Sequence, residues 1–188
     1  MALLEPDQIR NIALVGHGGS GKTSLAEALL FKAGATNRLG KIQDKSSILD
    51  WTDEAREKLH SLDSSLAFFA HKGLHVNLMD TPGTVAFCGT AIAALAAAEC
   101  AVVVVSASAG VQVNTRRMLE RAREYGIGVW LVVNHIDAAN VDLAKIVSDL
   151  QECFGSLLET IGIRQPAAVV HAYPDAFGRT AGHEHVEA

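Results

Sequence analysis

The chain has 188 residues, 20% of them charged and 49% hydrophobic, with a net charge of −5, which leaves room for one α/β domain with a genuine core and hardly for two. The acidic balance excludes a free-standing polyanion binder, so no direct DNA binding is expected, although a locally basic face could meet RNA. Its three cysteines, Cys88, Cys100 and Cys153, lie in apolar segments without C-x-x-C spacing, which suits small buried hydrophobes in a reducing cytoplasm and argues against a zinc site or a disulfide framework.

Residues 1–10 read as an N-terminal arm, since Glu5, Pro6, Asp7 and Arg10 give neither the basic start nor the apolar centre of a secretory signal. No run reaches the roughly 18 apolar residues of a membrane helix, so no membrane partner is expected and the protein is read as soluble and cytoplasmic. Residues 11–177 read as the domain. Ile12-Ala13-Leu14-Val15 suits a buried parallel strand, and Ser24 to Leu30 places Leu25, Leu29 and Leu30 at helical spacing. Between them Gly16-His-Gly-Gly-Ser-Gly-Lys-Thr23 is a full match to G-x-x-x-x-G-K-[ST]. Glycines 16, 18, 19 and 21 are expected to take positive φ and turn backbone N–H groups inward as an anion nest at a helix N-terminus. Lys22 then reaches the β- and γ-phosphates and the Thr23 hydroxyl ligates Mg²⁺. A merely Gly-rich strand-to-helix turn is the alternative, and it has no need of Lys-Thr at that offset.

Gly34 to Leu59 is polar and aperiodic until Trp51, and 34–60 reads as a mobile functional loop beside the phosphate site. Ser65–Ala70 and His75–Asp80 flank Lys72-Gly73 as two antiparallel strands. The second ends in Asp80-Thr-Pro-Gly83, where Asp80 is placed to hold the hydration shell of Mg²⁺ across from Thr23 and Gly83 to offer a backbone N–H to the γ-phosphate. The same tetrapeptide also fits an ordinary Pro-Gly turn. Thr90 to Cys100 predicts a buried, alanine-rich helix, and Ala101–Ser106 a central parallel strand. Gln112–Tyr125 predicts an amphipathic helix whose Arg116, Arg117, Arg121 and Arg123 form a basic face, either solvated and paired with Glu120 and Glu124 or touching a partner. Val129–Val133 predicts another central strand, leading into Asn134-His-Ile-Asp137. There Asp137 could accept from guanine N1 and the exocyclic amine, which adenine cannot supply, although N-x-x-D alone also fits a helix cap. Val141–Phe154 predicts a helix and Ala167–His171 a last strand. The fold class is therefore α/β, a doubly wound, mostly parallel sheet of about six strands with helices on both faces, a P-loop NTPase.

Together these motifs, with Ala109-Gly-Val-Gln112 after the fourth strand, resemble the GTP-binding domain (G domain) of translational GTPases, most closely elongation factor G and its paralogues, over about residues 10 to 155. His17, Leu49-Asp50-Trp51 and Gly110 to Arg117 look like that branch. The resemblance implies GTP and GDP as ligands, Mg²⁺ as cofactor, GTP hydrolysis at a translocation-type step of protein synthesis and the ribosome as partner. It implies nucleotide contacts from His17, Gly18, Gly19, Ser20, Gly21, Lys22, Thr23, Ser24, Asp80, Gly83, Asn134, His135 and Asp137, and catalytic roles for Lys22, Gly83 and residue 84. In the family's register Ser61 stands where a threonine hydroxyl meets Mg²⁺, so the metal set is Thr23, Asp80 and Ser61.

Four positions depart from the family pattern. Thr84 replaces a histidine that positions the attacking water, so hydrolysis is expected to be slow. Gly19 replaces an aspartate, Lys58-Leu59-His60-Ser61 replaces Arg-Gly-Ile-Thr, and His135 replaces a lysine stacked on guanine. A Ser-Ala dipeptide backing the base is not evident after a sixth strand, since Ser106-Ala107 belongs to the fourth and Ala167 to Tyr173 lacks the serine. Residues 156–177 resemble the start of an inserted subdomain, and 178–188 read as a loose tail, which makes the chain the first part of a longer protein. His183-Glu-His185 is too short for a metal site. A catalytically weak, nucleotide-dependent interaction module is the second reading, and an ATP-using P-loop enzyme, disfavoured by Asp137, the third.

Overall fold

The computed structural model describes residues 4–139, 141–154, 158–164 and 167–172. A 3-10 turn at Pro6–Gln8 leads straight into β1 (Ile9–Gly16), followed by α1 (Lys22–Lys32) and a short α2 (Asp53–Lys58). A hairpin of β2 (Ser65–His71) and β3 (Leu74–Asp80) comes next, then α3 (Cys88–Ala96), β4 (Cys100–Ser106), α4 (Val113–Glu124), β5 (Gly128–Asn134) and α5 (Leu143–Phe154). Two further strands, β6 (Leu158–Arg164) and β7 (Ala167–Ala172), complete a seven-stranded sheet in the order β2-β3-β1-β4-β5-β7-β6.

The four central strands are mutually parallel, with Leu14 opposite Asp80 on β3 and Val102 on β4. β1 is covered on both faces, which is why its apolar run is continuous rather than alternating. Ala13 and Val15 pack with Leu95, Met118, Leu119 and Leu150 from α3, α4 and α5. Leu14 packs the other way, with Ala26 and Leu30 of α1 and with Leu49 and Leu78. The sheet is thus doubly wound, and it sends the ends of β1, β3, β4 and β5 to one edge, where such sheets bind ligands. Lys72 and Gly73, at φ 47° and 81°, close the β2–β3 hairpin, as two left-handed residues do in a two-residue turn matched to strand twist. No helix among the described residues is long and apolar enough to cross a membrane.

The strand count is seven rather than about six, and the difference lies after α5. Within the 156–177 stretch, β6 and β7 form an antiparallel pair that extends the sheet through β7 against β5, Val132 facing Val169. Only two residues separate β6 from β7, too few for the crossover that a parallel pair requires. β6 escaped the sequence reading because Gly162 and a register shift between Thr160 and Gly162 interrupt the alternation that marks a strand. The predicted tail at 178–188, with His183 and His185, lies outside the described residues.

The 34–60 stretch is mostly exposed but is anchored at a few buried positions. Ser47, Leu49, Asp50 and Ala55 are buried, and α2 is capped by the Thr52 hydroxyl, which accepts from Ala55 N at 3.1 Å. Its anchor is Glu27, a carboxylate on the inward face of α1. Glu27 Oε1 accepts from Ser47 Oγ and from Ile48 N, both at 2.7 Å. Gly40 lies so close that a Cβ there would run into the Glu27 carboxylate. Because hydrogen bonds to a buried charged acceptor are among the stronger ones, Glu27→Ala is expected to raise amide hydrogen exchange at Ile48 and Leu49 at least about tenfold without global unfolding. Glu27→Gln, which keeps the acceptor, is expected to retain most of the protection.

Candidate functional site

The phosphate loop spans the gap between the end of β1 and the first turn of α1, and Lys22 and Thr23 lie on that turn. Of its four glycines, Gly16, Gly19 and Gly21 take positive φ and Gly18 does not. Gly21, at φ 90°, is the N-cap of α1, and a side chain there would collide with Asn134 Nδ2. That approach is a tie between distant segments, for Asn134 Nδ2 donates to the Ser20 carbonyl at 3.1 Å. His135, at φ 60°, adopts a left-handed conformation uncommon outside glycine and asparagine. Its Nδ1 is 3.1 Å from Ser106 Oγ, and Ala107 N donates to the Asn134 carbonyl at 2.8 Å. Ser106-Ala107 thus sits directly beside Asn134-His135, although the sequence places it one strand away. Asp137 is exposed in the loop after β5, Ser24 is exposed on α1, and Gly18 and Gly19 lie open at the crest of the loop. His17 Nδ1 and Ser20 Oγ are buried without a hydrogen-bond partner.

Three sequence-predicted residues converge at Thr23, on the first turn of α1. Thr23 Oγ1 donates to Asp80 Oδ2 at 2.6 Å and lies 3.3 Å from Ser61 Oγ. Ser61 Oγ in turn donates to Asp50 Oδ1 at 3.0 Å. Each hydroxyl has one proton. Thr23 spends its proton on Asp80 and Ser61 on Asp50, so the two oxygens face each other with lone pairs only. Asp80 Oδ1 is also buried without a partner. Such a set of oxygen acceptors fits a hard divalent cation.

The electrostatics point the same way. The Asp80 carboxyl is raised to about 6, mainly by burial and in smaller part by the Asp50 and Glu27 charges, against the lowering effects of the Thr23 hydrogen bond and the Lys22 charge. Burial also brings Lys22 down to about 8, with Asp80 opposing that shift. The folded chain therefore holds a proton on Asp80 that the unfolded chain releases between about pH 4 and pH 6. Stability from this group is full below that window and lost as pH rises through it. At neutral pH the ionised, cation-free carboxylate costs on the order of 3 kcal/mol.

The Asp80-Thr-Pro-Gly turn is fixed to β1 by Thr81 Oγ1, which donates to the Leu14 carbonyl at 2.7 Å. It brings Gly83 against the phosphate loop, where a Cβ would run into Lys22 Nζ, Gly18 N and His17 C. Lys22 Nζ itself donates to the His17 carbonyl at 2.9 Å. Thr84 is exposed, and its carbonyl accepts from Phe87 N at 3.0 Å in a 3-10 turn. Sequence reasoning missed Glu27, Asp50, Ser106 and Asn114 as parts of this region. Glu27 alone left a signal, a charge set between Ala26 and Leu30 on the buried stripe of α1.

Residues 7–178 match the model of the elongation factor Tu GTP-binding domain. An elongation factor G-like protein of Mycobacterium tuberculosis is 33% identical over 150 residues, covering 80% of this chain and 21% of that protein. The mitochondrial ribosome-releasing factor 2 of Drosophila ananassae is 34% identical over 145 residues, covering 77% of this chain and 20% of its own. A crystal structure from Thermus thermophilus superposes with a TM-score of 0.77 at 34% identity, over 89% of this chain and 27% of that one. The chain spans about a fifth of the length of these curated relatives. With its phosphate loop, Asp80-Thr-Pro-Gly turn and Asn134 loop gathered at one sheet edge, the chain belongs to the elongation factor Tu GTP-binding domain family, as a GTP-binding domain of the translational GTPase kind.

Proposed function

We propose that this chain binds Mg²⁺ with GTP or GDP and hydrolyses GTP at a translocation-type step of protein synthesis, with the ribosome as partner and the cytoplasm as its location. One observation carries the reading: where the phosphate loop enters α1 it is met by the Asp80 and Ser61 oxygens at Thr23 and by Asn134 at Ser20. In this reading the first contact serves the cation and the second the base. The relatives' names, an elongation factor G-like protein and a ribosome-releasing factor, support the ribosomal partner.

In this reading the loop amides of residues 18–21 and the Lys22 ammonium bind the phosphates. Thr23 and Ser61 would hold Mg²⁺ through their hydroxyls, and Asp80 would hold its water shell. A cation held there would supply charge neutralisation at the phosphate oxygens. Gly83 presents its N–H to the third phosphate, Asn134 braces the base loop against Ser20, His135 covers the base, and Asp137 accepts from guanine. Hydrolysis transfers the γ-phosphoryl group to water and leaves GDP, a reaction that asks for positioning more than for covalent chemistry. Thr84, exposed and without an imidazole, offers little to orient that water. This observation favours a second reading of the same site, a guanine-nucleotide-dependent module with weak turnover.

Three measurements bear on these assignments. Calorimetric titration of the chain in Mg²⁺ is expected to show binding of GTP and GDP and at least about a hundredfold weaker ATP, the discrimination of a site built on hydrogen bonds that the wrong ligand cannot make. Equal affinity for ATP would remove Asp137 as the selector. Asp80→Asn is expected to raise the melting temperature of the nucleotide-free chain in EDTA by about 2–6 °C, because the variant buries no charge. The same change is expected to abolish the extra stabilisation that Mg²⁺ adds to GDP, and a variant that keeps it would place the cation elsewhere. Thr84→His separates the two readings: a tenfold or larger gain in GTPase rate supports the weak-turnover module, and an unchanged rate counts against it.

A further inference from the structure

Asn114 has no part in the assignments above, yet its side chain holds Gly83 itself by a short hydrogen bond. It stands on the first turn of α4 and is 2% exposed. Its Nδ2 donates to the Gly83 carbonyl at 2.6 Å. A carbonyl only accepts, so the amide has to present its nitrogen there, and the orientation of the carboxamide is settled by chemistry. The consequence is visible at the other atom, for Asn114 Oδ1 is buried without a partner. An apolar side chain of the same size would avoid that desolvation cost, so the contact with Gly83 is the asset this residue brings. Gly83 is accordingly held twice, by its lack of a side chain against Lys22 and Gly18 and by the capture of its carbonyl. Pro82 has no N–H, so the Gly83 amide is the first donor the turn can offer after Thr81.

We propose that Asn114 is a positioning residue for the third phosphate: by fixing the Gly83 carbonyl to α4 it aims the Gly83 main chain at the γ-phosphate and sets the preference for GTP over GDP. The proposal rests on the guanine-nucleotide reading of the site. A hydrogen bond to phosphate is worth most when its donor is already in place, and ordering the turn at the moment of binding subtracts from affinity. A diphosphate ends short of Gly83 and does not draw on that order. Loss of the clamp therefore weakens the triphosphate alone.

Asn114→Leu keeps the volume and removes the donor, and Asn114→Ala serves as a second variant should the leucine disturb folding. The 188-residue wild type and variants are titrated in Mg²⁺ with a non-hydrolysable GTP analogue and with GDP, and ligand-free melting temperatures are recorded. The expected result is about tenfold weaker binding of the analogue with GDP affinity within about twofold of wild type, the scale of one lost hydrogen bond. A merely structural role lowers the melting temperature or weakens both ligands together, and either result with an unchanged GTP-to-GDP ratio overturns the proposal. A wild type that binds neither nucleotide overturns the guanine reading and this inference with it, whereas normal wild-type binding with an unchanged ratio overturns the Asn114 role alone.

Discussion

The hydrogen bond between Thr23 and Asp80, 2.6 Å long and closed to solvent, joins the start of α1 to the end of β3, and most of the site's geometry depends on that junction. It is possible because β1 and β3 are parallel neighbours in register, with Leu14 opposite Asp80, so the strand that launches the phosphate loop and the strand that delivers the carboxylate finish at one level. On the other flank β4 aligns Gly16 with Val104, and β5 aligns Asn134 with Ser106. The central parallel strands thus act as a ruler. Thr23, Asp80 and Asn134 are brought together by sheet register rather than by loop conformation, and residues carried on rigid elements are placed more accurately than residues on loops.

A buried polar chain runs outward from that junction. Glu27 holds Ser47, Ser47 Oγ accepts from Asp50 N at 3.3 Å, Asp50 accepts from Ser61, and Ser61 faces Thr23. Three carboxylates, from Glu27, Asp50 and Asp80, share this interior with the single ammonium of Lys22. Such a surplus of negative charge is unfavourable in a low-dielectric interior. It is the condition under which a bound cation contributes most, because the cation removes a cost the fold already carries instead of adding a new contact. The same chain ties the order of residues 47–61 to the state of the Thr23 and Asp80 pair, so the segment is packed against α1 while being anchored mainly by polar contacts. Segments held in that way open at lower free energy than the apolar core.

The fold and the phosphate loop were legible in the sequence because both rest on local rules. Apolar runs such as Ala101–Val105 mark strands covered on both faces, and Gly-Lys-Thr at a strand-to-helix junction has one established chemistry. Asp80 and Asn134 could be named because their motifs stand at the ends of strands, and Ser61 only through the register of the family it resembles. The side chains that hold those residues in place were not legible. Asp50 reaches Ser61 over eleven positions and Asn114 reaches Gly83 over thirty-one, and no spacing rule links residues whose meeting depends on how α2 and α4 pack. Ser106-Ala107 was visible yet was assigned only to its strand, because its neighbour Asn134 is fixed by β4–β5 register, which a single sequence does not encode locally. β6 was lost for the opposite reason, a local irregularity hiding a strand that tertiary pairing supports.

Two helices meet the phosphate loop and the segments around it through Lys22, Glu27 and Asn114. α1 contributes both Lys22 and Glu27, so one rigid element faces the phosphates at its start and grips residues 47–49 a turn later. α4 reaches the turn beside the loop through Asn114, which holds the Gly83 carbonyl. α4 therefore meets the turn at Gly83, whereas the 47–61 segment meets it at Asp80 through Ser61 and Thr23. Both paths end on Lys22 and its neighbours, Gly83 by steric contact and Asp80 by charge. Coupling between them needs no long wire across the sheet, only a shared element with two arrangements that each path biases. The turn from Asp80 to Gly83 is the element the two contacts share, since its first residue belongs to the oxygen cluster at Thr23 and its last to the α4 contact, and Thr81 pins it between them to β1.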